Sequence, residues 1–362
     1  MDNYWSCTVA LLLATTNIHC DAMSGSENKN TASSASFSTV SLAKPDHLFE
    51  ASVSALLLQP TSGNLDYAAE AIPIPLASPN WKIHQIDTDY NFGFDAEIRG
   101  IFRERNTDLS LDWEHFHSVD EASKQVSSSN MIGPFFEIGP DASPYKKARG
   151  KVVFQFDKVE LNYGIFVNFG KHLQTNLFTG LSFAQIKQTL FSKFSDFTGE
   201  IVRTITTPSR FIGAGPQAGV DFAYRIIAGL GISGTLKASF LVGQQKNHTK
   251  YLATSPALAG LGVSSPNMQK TSTHQKTQVV PGLEGKLGLS YTFNIRKLSF
   301  AKLEAGYQVQ TFIDAIQSIN IGSEVVTPPV APDTVGVFAR TFEQTHNNFS
   351  LAGPYLMFGV GF

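Results

Sequence analysis

The chain has 362 residues, of which 42% are hydrophobic but only 16% are charged, against roughly 25% charged residues in an ordinary soluble protein. No stretch approaches the roughly 20 consecutive apolar residues of a membrane-spanning helix, which excludes an α-helical membrane protein. Lys and Arg (28) nearly balance Asp and Glu (30), for a net charge of −2, and no basic stripe offers a surface to nucleic acid. Two classes remain: a large soluble β-protein, and a β-barrel with apolar residues at every second position.

The N-terminus resembles a secretory signal. Thr8–Ala14 is a short apolar core, and Cys20 and Ala22 are small residues placed three and one positions before a cut after Ala22. Residues 1–22 are therefore predicted to be a signal peptide, although no Lys or Arg precedes the apolar core. The alternatives are a wrongly assigned start codon and a buried hydrophobic segment.

Both cysteines of the chain, Cys7 and Cys20, lie in this segment. Its removal leaves a mature chain without a thiol, so we expect no disulfide, zinc–thiolate site or cysteine nucleophile. Residues 23–46 follow and are mostly Ser, Thr, Asn and Ala. They bury too little apolar surface to become ordered, which predicts a flexible tail.

Apolar and polar residues alternate with period two along the rest of the chain, which is the pattern of a strand with two unlike faces. After Phe300, for example, Leu303 and Tyr307 share one face while Lys302 and Glu304 share the other. Many of the segments reach or exceed the roughly 9–11 residues of a tilted membrane strand. The ten predicted strands are residues 47–58, 83–103, 108–118, 150–169, 173–190, 209–226, 231–245, 276–294, 299–316 and 348–362.

The alternation is irregular at two places. In the segment 173–190 it drifts between Phe178 and Phe183, which predicts a β-bulge. Lys158 has the same parity as Phe154 and Phe156. If the phenylalanines face lipid, a charged residue at this position indicates that the strand changes parity there.

The connections between these strands are alternately long and short. An up-and-down barrel with both chain ends on the periplasmic side predicts this, because tight turns lie on the inner side of the membrane and large loops on the outer side. Most prolines fall in the long connections, as expected of a residue that cannot donate to a strand ladder. The long connections are 59–82, 119–149, 191–208, 246–275 and 317–347, and the short ones are 104–107, 170–172, 227–230 and 295–298.

The predicted fold is all-β: a transmembrane, antiparallel, up-and-down β-barrel over residues 47–362, with about ten strands (range 8–12) and five long extracellular loops. An unpaired backbone N–H or C=O costs several kcal/mol in hydrocarbon, so the sheet must close on itself. The predicted location is the bacterial outer membrane. A soluble periplasmic β-protein is the weaker alternative.

The last strand carries a second indication. Leu356, Phe358, Val360 and Phe362 lie on one strand face and end the sequence on an aromatic residue. This resembles the C-terminal signal that outer-membrane barrels present to the barrel assembly machinery. An ordinary buried edge strand that happens to end at Phe is the alternative.

Four stretches resemble one family: Leu109–Ser118, Lys151–Phe169, Val280–Phe293 and Gly353–Phe362. The chain is similar there to the Legionella-type major outer membrane proteins, and the similarity covers most of residues 47–362. That family is regarded as pore-forming barrels of the outer membrane. The resemblance therefore implies a porin-like role, and it implies no catalytic residues.

Parity places charged side chains of both signs inside the barrel. Seven acids and six bases form no single-sign field, so ion selectivity should be modest. Ten strands lie close to the size at which side chains fill the interior, and a plugged lumen is the alternative, with Arg99 and Arg103 meeting Glu284 or Glu304. The predicted lumen-facing residues are Asp95, Glu97, Arg99, Arg103, Glu160, Asp221, Arg225, Lys237, Glu284, Lys286, Lys302, Glu304 and Asp314.

Candidate sites of other kinds are weak. His115 and His117 share a strand face but have no third ligand, and His346 and Ser350 fit no hydrolase motif. The glycine-rich run 213–219 leads into a strand and not into a helix, so it does not form a phosphate-binding loop. We therefore expect no catalytic residues, no cofactor, no metal and no enzymatic activity.

Two functions stay open at this point. The first is passive passage of small polar solutes or ions through the lumen. The second is a non-conducting structural or adhesive barrel that acts through its surface loops. The expected partners are outer-membrane lipid and lipopolysaccharide, the barrel assembly machinery and, without an identifiable interface, further copies of the chain, but not nucleic acid.

Overall fold

The computed structural model describes the chain from residue 40 to residue 362 with several gaps. The predicted signal peptide and all of the tail before residue 40 lie outside the described residues. The described ranges are 40–42, 48–72, 80–134, 145–170, 172–199, 202–227, 229–254, 267–272, 275–296, 299–326 and 336–362. Within them, no helix is long and apolar enough to cross a membrane.

Ten long strands form one closed antiparallel ring. The ring runs β2–β5–β6–β8–β9–β10–β11–β13–β14–β15 and returns from β15 to β2. Every strand has two partners, so the backbone donors and acceptors of the sheet are paired, as a hydrocarbon environment requires. The ring strands are β2 Phe49–Ser62, β5 Asn91–Phe102, β6 Thr107–Gln125, β8 Lys147–Phe169, β9 Leu173–Ser195, β10 Val202–Ile227, β11 Leu230–Thr254, β13 Lys276–Arg296, β14 Ser299–Val326 and β15 Gly336–Gly361.

The described residues also include five short strands. β1 (Val40–Leu42) pairs with the end of β8, and β12 (Asn267–Ser272) pairs with β11. A separate three-stranded sheet has the order β4–β3–β7 and consists of Asn80–Gln85, Asp66–Ile72 and Met131–Gly133. This small sheet contacts β8 and β9 towards the end of the barrel that carries the long connections.

Each predicted strand contains or overlaps one strand of the ring, which confirms the barrel. The strands are longer than predicted, because the sheet continues into the long connections: β8 has 23 residues and β14 has 28. About 9–11 residues suffice to cross a membrane, so the hairpins rise beyond it. The predicted strand 83–103 is wrong at its start, because residues 86–90 separate β4 in the small sheet from β5 in the ring.

The predicted bulge in β9 and the predicted change of parity at Lys158 were wrong for the same reason. β9 pairs with both neighbours in unbroken register, so no bulge lies between Phe178 and Phe183. Lys158 keeps the parity of Phe154 and Phe156, and all three side chains are buried inside the ring. The prediction assumed that apolar residues face outward throughout, whereas this part of the interior is apolar.

The alternation itself holds across the lower half of the barrel. Tyr307 and Leu289 are 47% and 59% exposed on the outer wall. Glu304, which faces the opposite side of β14 from Tyr307, is only 7% exposed. Because the outer wall of a membrane barrel contacts lipid, these exposed apolar side chains form its apolar belt. The polar side chains of the same strands are left to the interior.

Candidate functional site

A buried ammonium group lies at mid-height in the barrel, surrounded by carboxylates. The Nζ of Lys158 lies 3.0 Å from Glu114 Oε2, 3.2 Å from Glu160 Oε1 and 2.6 Å from Glu284 Oε2. The side chains of Lys158 and Glu114 are only 2% and 1% exposed. Lys158 is on β8 and Glu284 is on β13, four steps away around the ring, so this ion pair crosses the lumen.

Two further lysines extend this group towards the short turns. Lys237 Nζ lies 2.9 Å from Glu160 Oε2 and 3.4 Å from Glu284 Oε1. Lys286 Nζ donates to Asp95 Oδ2 over 2.8 Å. Burial of a charge is tolerated when the charge is paired and hydrogen-bonded, and each of these groups has such a partner. We call the seven residues the Lys158 cluster: Asp95, Glu114, Lys158, Glu160, Lys237, Glu284 and Lys286.

A second group of charges lies nearer the short turns. Arg99 Nη2 lies 2.7 Å from Glu97 Oε1 and 3.2 Å from Asp221 Oδ2, and its Nε lies 3.5 Å from Asp108 Oδ2. In the plugged-lumen alternative Arg99 was to meet Glu284 or Glu304, and the structure gives it other carboxylates instead. Lys158, Lys237 and Lys286 already surround Glu284, and closer carboxylates neutralise Arg99.

Glu304 has its own partners. It lies 2.7 Å from Lys302 Nζ and accepts a hydrogen bond of 2.6 Å from the hydroxyl of Tyr355.

Two predicted lumen residues, Asp314 and Arg103, occupy other places, and Arg225 lies at the mouth of the lumen. Asp314 is exposed and has a positive φ of 59°, because it lies in the irregular stretch between Phe312 and Ile316, where β14 has two residues more than the facing part of β15. Its prediction as a lumen residue was wrong. Arg225 is exposed at the end of β10, where it borders the mouth of a cavity. Arg103 is half-buried in the turn after β5 and not in a strand.

Sequence reasoning missed part of this charge network. Glu114, Asp112 and Asp108 share the inward parity of the stretch Leu109–Ser118 and could have been found by extending its alternation. Lys158 was missed because the phenylalanines before it were assigned to the lipid face. Lys158 has the same parity as Glu160, which was predicted to face the lumen, and this shared parity could have placed Lys158 there as well.

Aromatic side chains fill the lumen on the long-hairpin side of the Lys158 cluster. The ring of Phe156 on β8 lies 5.4 Å from that of Phe312 on β14 and 5.8 Å from that of Phe349 on β15. β8 and β14 are five steps apart in either direction on a ring of ten strands, so these rings meet across the full width of the barrel. We call this set the aromatic layer: Phe116, Phe154, Phe156, Phe312 and Phe349, all buried.

A cavity of about 1190 Å³, lined by both polar and apolar residues, lies between the Lys158 cluster and the short turns. Asp95, Lys237 and Lys286 of the cluster border its inner end, while His172 and Arg225 border it at the short turns. Acids and bases share its wall, so the cavity suits small polar molecules of either charge. The aromatic layer contributes none of its lining residues.

The small sheet, whose strands are not part of the ring, carries a buried carboxylate. Glu70 on β3 accepts a hydrogen bond of 2.9 Å from Asn130 and lies 2.8 Å from Nε2 of His84. Burial by itself raises the pKa of Glu70. The hydrogen bonds from Asn130 and His84, together with the positive charges of His84 and Lys124, outweigh burial and lower that pKa below its ordinary value.

The outer wall holds the remaining candidates. His115 Nδ1 lies 2.7 Å from Asp157 Oδ1 on the neighbouring strand. No group of three potential metal ligands occurs in the described part of the chain. Leu356, Phe358 and Phe362 are exposed on this wall with Val360 between them, and the amide of Phe362 donates to the carbonyl of Phe49, which joins the last strand to the first.

Comparisons with known proteins identify one family. The family model described as the Legionella pneumophila major outer membrane protein precursor matches residues 42–362. The search of curated proteins finds no match. Among solved structures, the outer membrane protease OmpT from Escherichia coli is 12% identical with a TM-score of 0.45, covering 90% of this chain and 100% of its own. The toluene transporter TodX from P. putida is 7% identical with a TM-score of 0.27, covering 88% of this chain and 91% of its own.

Proposed function

Because this chain belongs to the family of the Legionella pneumophila major outer membrane protein, and is thus an outer-membrane β-barrel, we propose that it is a structural barrel with a closed lumen. It acts through its long hairpins and its outer wall and not by passing solutes. This is the non-conducting alternative that the sequence left open.

The observation that carries the proposal is the contact between opposite walls. The aromatic layer joins β8 to β14 and β15 through ring centroids 5.4 and 5.8 Å apart. Directly next to it, the Lys158 cluster joins β8 to β13 through an ion pair of 2.6 Å. A solute would have to displace buried phenylalanines and also separate buried charges, and either step is costly.

Planar-bilayer conductance tests this proposal. We expect the full-length protein, refolded and inserted at high protein concentration, to give no discrete current steps. Folding is verified independently by heat-modifiable gel migration, because the absence of current is informative only for a folded barrel. Regular discrete steps from the wild-type protein would overturn the proposal.

A matched variant shows that the assay can detect an open barrel. We expect the variant that combines Phe156→Ala, Phe312→Ala and Phe349→Ala with Lys158→Ala to conduct in short openings, because it removes both the rings and the ammonium group that join opposite walls. Each Phe→Ala change costs about 3–5 kcal/mol in a well-packed core, so its migration is checked as well. The double variant Phe156→Leu and Phe349→Leu keeps the layer apolar and filled, and we expect it to remain silent.

The second candidate is the passive passage of small polar solutes or ions. The cavity of about 1190 Å³ favours it, because this space already extends from the short turns to the Lys158 cluster and has charged residues in its wall. Under this candidate the wild-type protein conducts, and Arg99→Glu shifts its ion preference. If the lumen is closed, the Arg99→Glu variant gives no current steps.

We further propose that the barrel assembly machinery recognises the outer face of the last strand through Leu356, Phe358, Val360 and Phe362. The exposed aromatic ring of Phe362 supports this, because the closing hydrogen bonds use its backbone and not its side chain. We expect Phe362→Ser to reduce the amount of protein inserted in the outer membrane, while the purified variant still refolds in detergent. Equal insertion in cells would contradict this role.

A further inference from the structure

Three cations stand side by side on the outer wall. Lys187 on β9 is the register partner of Arg210 on β10, which is in turn the register partner of Lys246 on β11. All three side chains point away from the lumen, and Arg210 and Lys246 are exposed. Side chains at directly paired positions have Cβ atoms about 4.5–5.5 Å apart, and like charges there destabilise a sheet. We call these residues the cation row.

The protein itself does not neutralise the cation row. Lys187 donates to the side-chain oxygen of Gln155 over 3.1 Å, and Arg210 donates to that of Gln185 over 2.6 Å. Glutamine orients a cation but carries no charge. Throughout the described ranges, no carboxylate oxygen lies within 4.0 Å of any of the three cations.

The surrounding wall adds positive charge. Lys250 on β11 is the register partner of Lys270 on β12, and both are exposed. On the neighbouring strands, Glu121 already contacts Arg149 and Lys151. Asp157, two residues from the register partner of Lys187, contacts His115. The unbalanced charge therefore centres on β9, β10 and β11.

The height of the cation row identifies its surroundings. Ile212 is exposed at the upper edge of the apolar belt, two residues from Arg210. Exposed apolar residues also lie four residues from the other two cations: Phe183 from Lys187 and Val242 from Lys246. At about 3.4 Å per residue and a tilt of about 40°, this separation is roughly 5–10 Å along the membrane normal. The headgroup layer beyond the hydrocarbon core is roughly 5–8 Å thick on each side. The row therefore lies at the level of the headgroup phosphates, on the side of the long hairpins.

We propose that Lys187, Arg210 and Lys246 bind the phosphate groups of a phosphorylated glycolipid in the outer leaflet. The guanidinium of Arg210 donates two parallel hydrogen bonds to one phosphate, and the flanking ammonium groups supply point charges. The acyl chains of the same lipid lie along Phe183, Ile212 and Val242 directly below. The bound phosphates offset the repulsion within the row. This inference rests on the outer-membrane location and does not depend on a closed or an open lumen.

The test uses the full-length protein in detergent, titrated with purified bisphosphorylated lipid A and, separately, with its dephosphorylated form. Binding is measured by native mass spectrometry. We expect the triple variant Lys187→Gln, Arg210→Gln and Lys246→Gln to bind bisphosphorylated lipid A roughly 100-fold more weakly. Each cation near a charged lipid surface contributes about one kcal/mol of binding free energy, and the variant lacks all three. The control variant Lys82→Gln, Arg105→Gln and Lys147→Gln loses the same charge elsewhere, and we expect it to bind like the wild type.

A stability measurement separates binding from a structural role. Without lipid, the cation-row variant should be at least as resistant to urea as the wild type, because like charges have been removed. With bisphosphorylated lipid A, only proteins with an intact row should gain resistance. The proposal is overturned if the row variant and the control bind equally, if dephosphorylated lipid A binds as well, or if phosphatidylglycerol vesicles give the same stabilisation.

Discussion

Replacement of Lys158 by methionine is the sharpest test of how the interior is held together. Lys158→Met keeps the length and most of the apolar volume of the side chain but removes the ammonium group. Three carboxylates within 3.2 Å then lose a shared cation. Glu160 and Glu284 keep Lys237 as a partner, whereas Glu114 keeps only neutral donors, Gln308 and Gln310.

The magnitude follows from the burial of the group. Breaking a buried ion pair by removing one partner costs about 3–5 kcal/mol, because it leaves an uncompensated charge. Lys158 and Glu114 are both almost fully buried, so solvent screens this interaction little. We expect a loss of roughly 3–5 kcal/mol in the free energy of unfolding.

The loss should be measured by urea unfolding of the barrel in lipid vesicles, followed by heat-modifiable migration. The double variant Lys158→Met, Glu114→Gln should recover part of it, because the stranded carboxylate is removed together with its cation. Lys193→Met, at an exposed lysine on the neighbouring strand β9, should change stability by no more than about 0.5 kcal/mol. Equal stability of Lys158→Met and Lys193→Met would refute the reasoning.

Three further predictions concern other parts of the molecule. Leu287→Arg places a charge in the middle of the apolar belt and should destabilise the barrel by about 2–4 kcal/mol in vesicles, measured by urea unfolding. Gly150→Val should cost about 1–3 kcal/mol, because a Cβ at this position would lie 2.5 Å from the ring of Tyr67. Since the pKa of Glu70 is lowered, its carboxylate should stabilise the small sheet at neutral pH. That stability should disappear as the pH falls through this lowered pKa, with the fluorescence of Trp81 on β4 as the readout.

Each of these predictions has a matched control. Leu287→Ala keeps the position apolar and should cost far less than the arginine. Gly100→Val adds the same side chain where a Cβ meets nothing within 4 Å, and equal losses at both glycines would contradict the packing argument. Glu70→Gln removes the titrating group, so an unchanged acid transition in that variant would assign the transition to other residues.

The sequence by itself determined the class of fold and the path of the chain. Strands with one lipid face carry alternation as a local signal, and Leu303 and Tyr307 show it without knowledge of any neighbour. The order of long and short connections is local as well, and together with the need to pair every backbone donor in hydrocarbon it leads to a closed barrel. The outward and inward faces of the lower half follow from the same rule.

Tertiary structure alone decided what fills the lumen. Phe156 and Phe312 are far apart in sequence and lie on opposite walls, so no local pattern indicates that their rings meet. Apolar residues inside and outside a barrel obey the same period-two rule, and parity was therefore misjudged at Lys158. Asp314 was misplaced for another reason, because the irregularity of β14 depends on its pairing with β15. The partner of a buried charge depends on strand stagger and barrel width, which are properties of the whole ring. For this reason the pairing of Lys158 with Glu114 and Glu284 became visible only in the folded molecule.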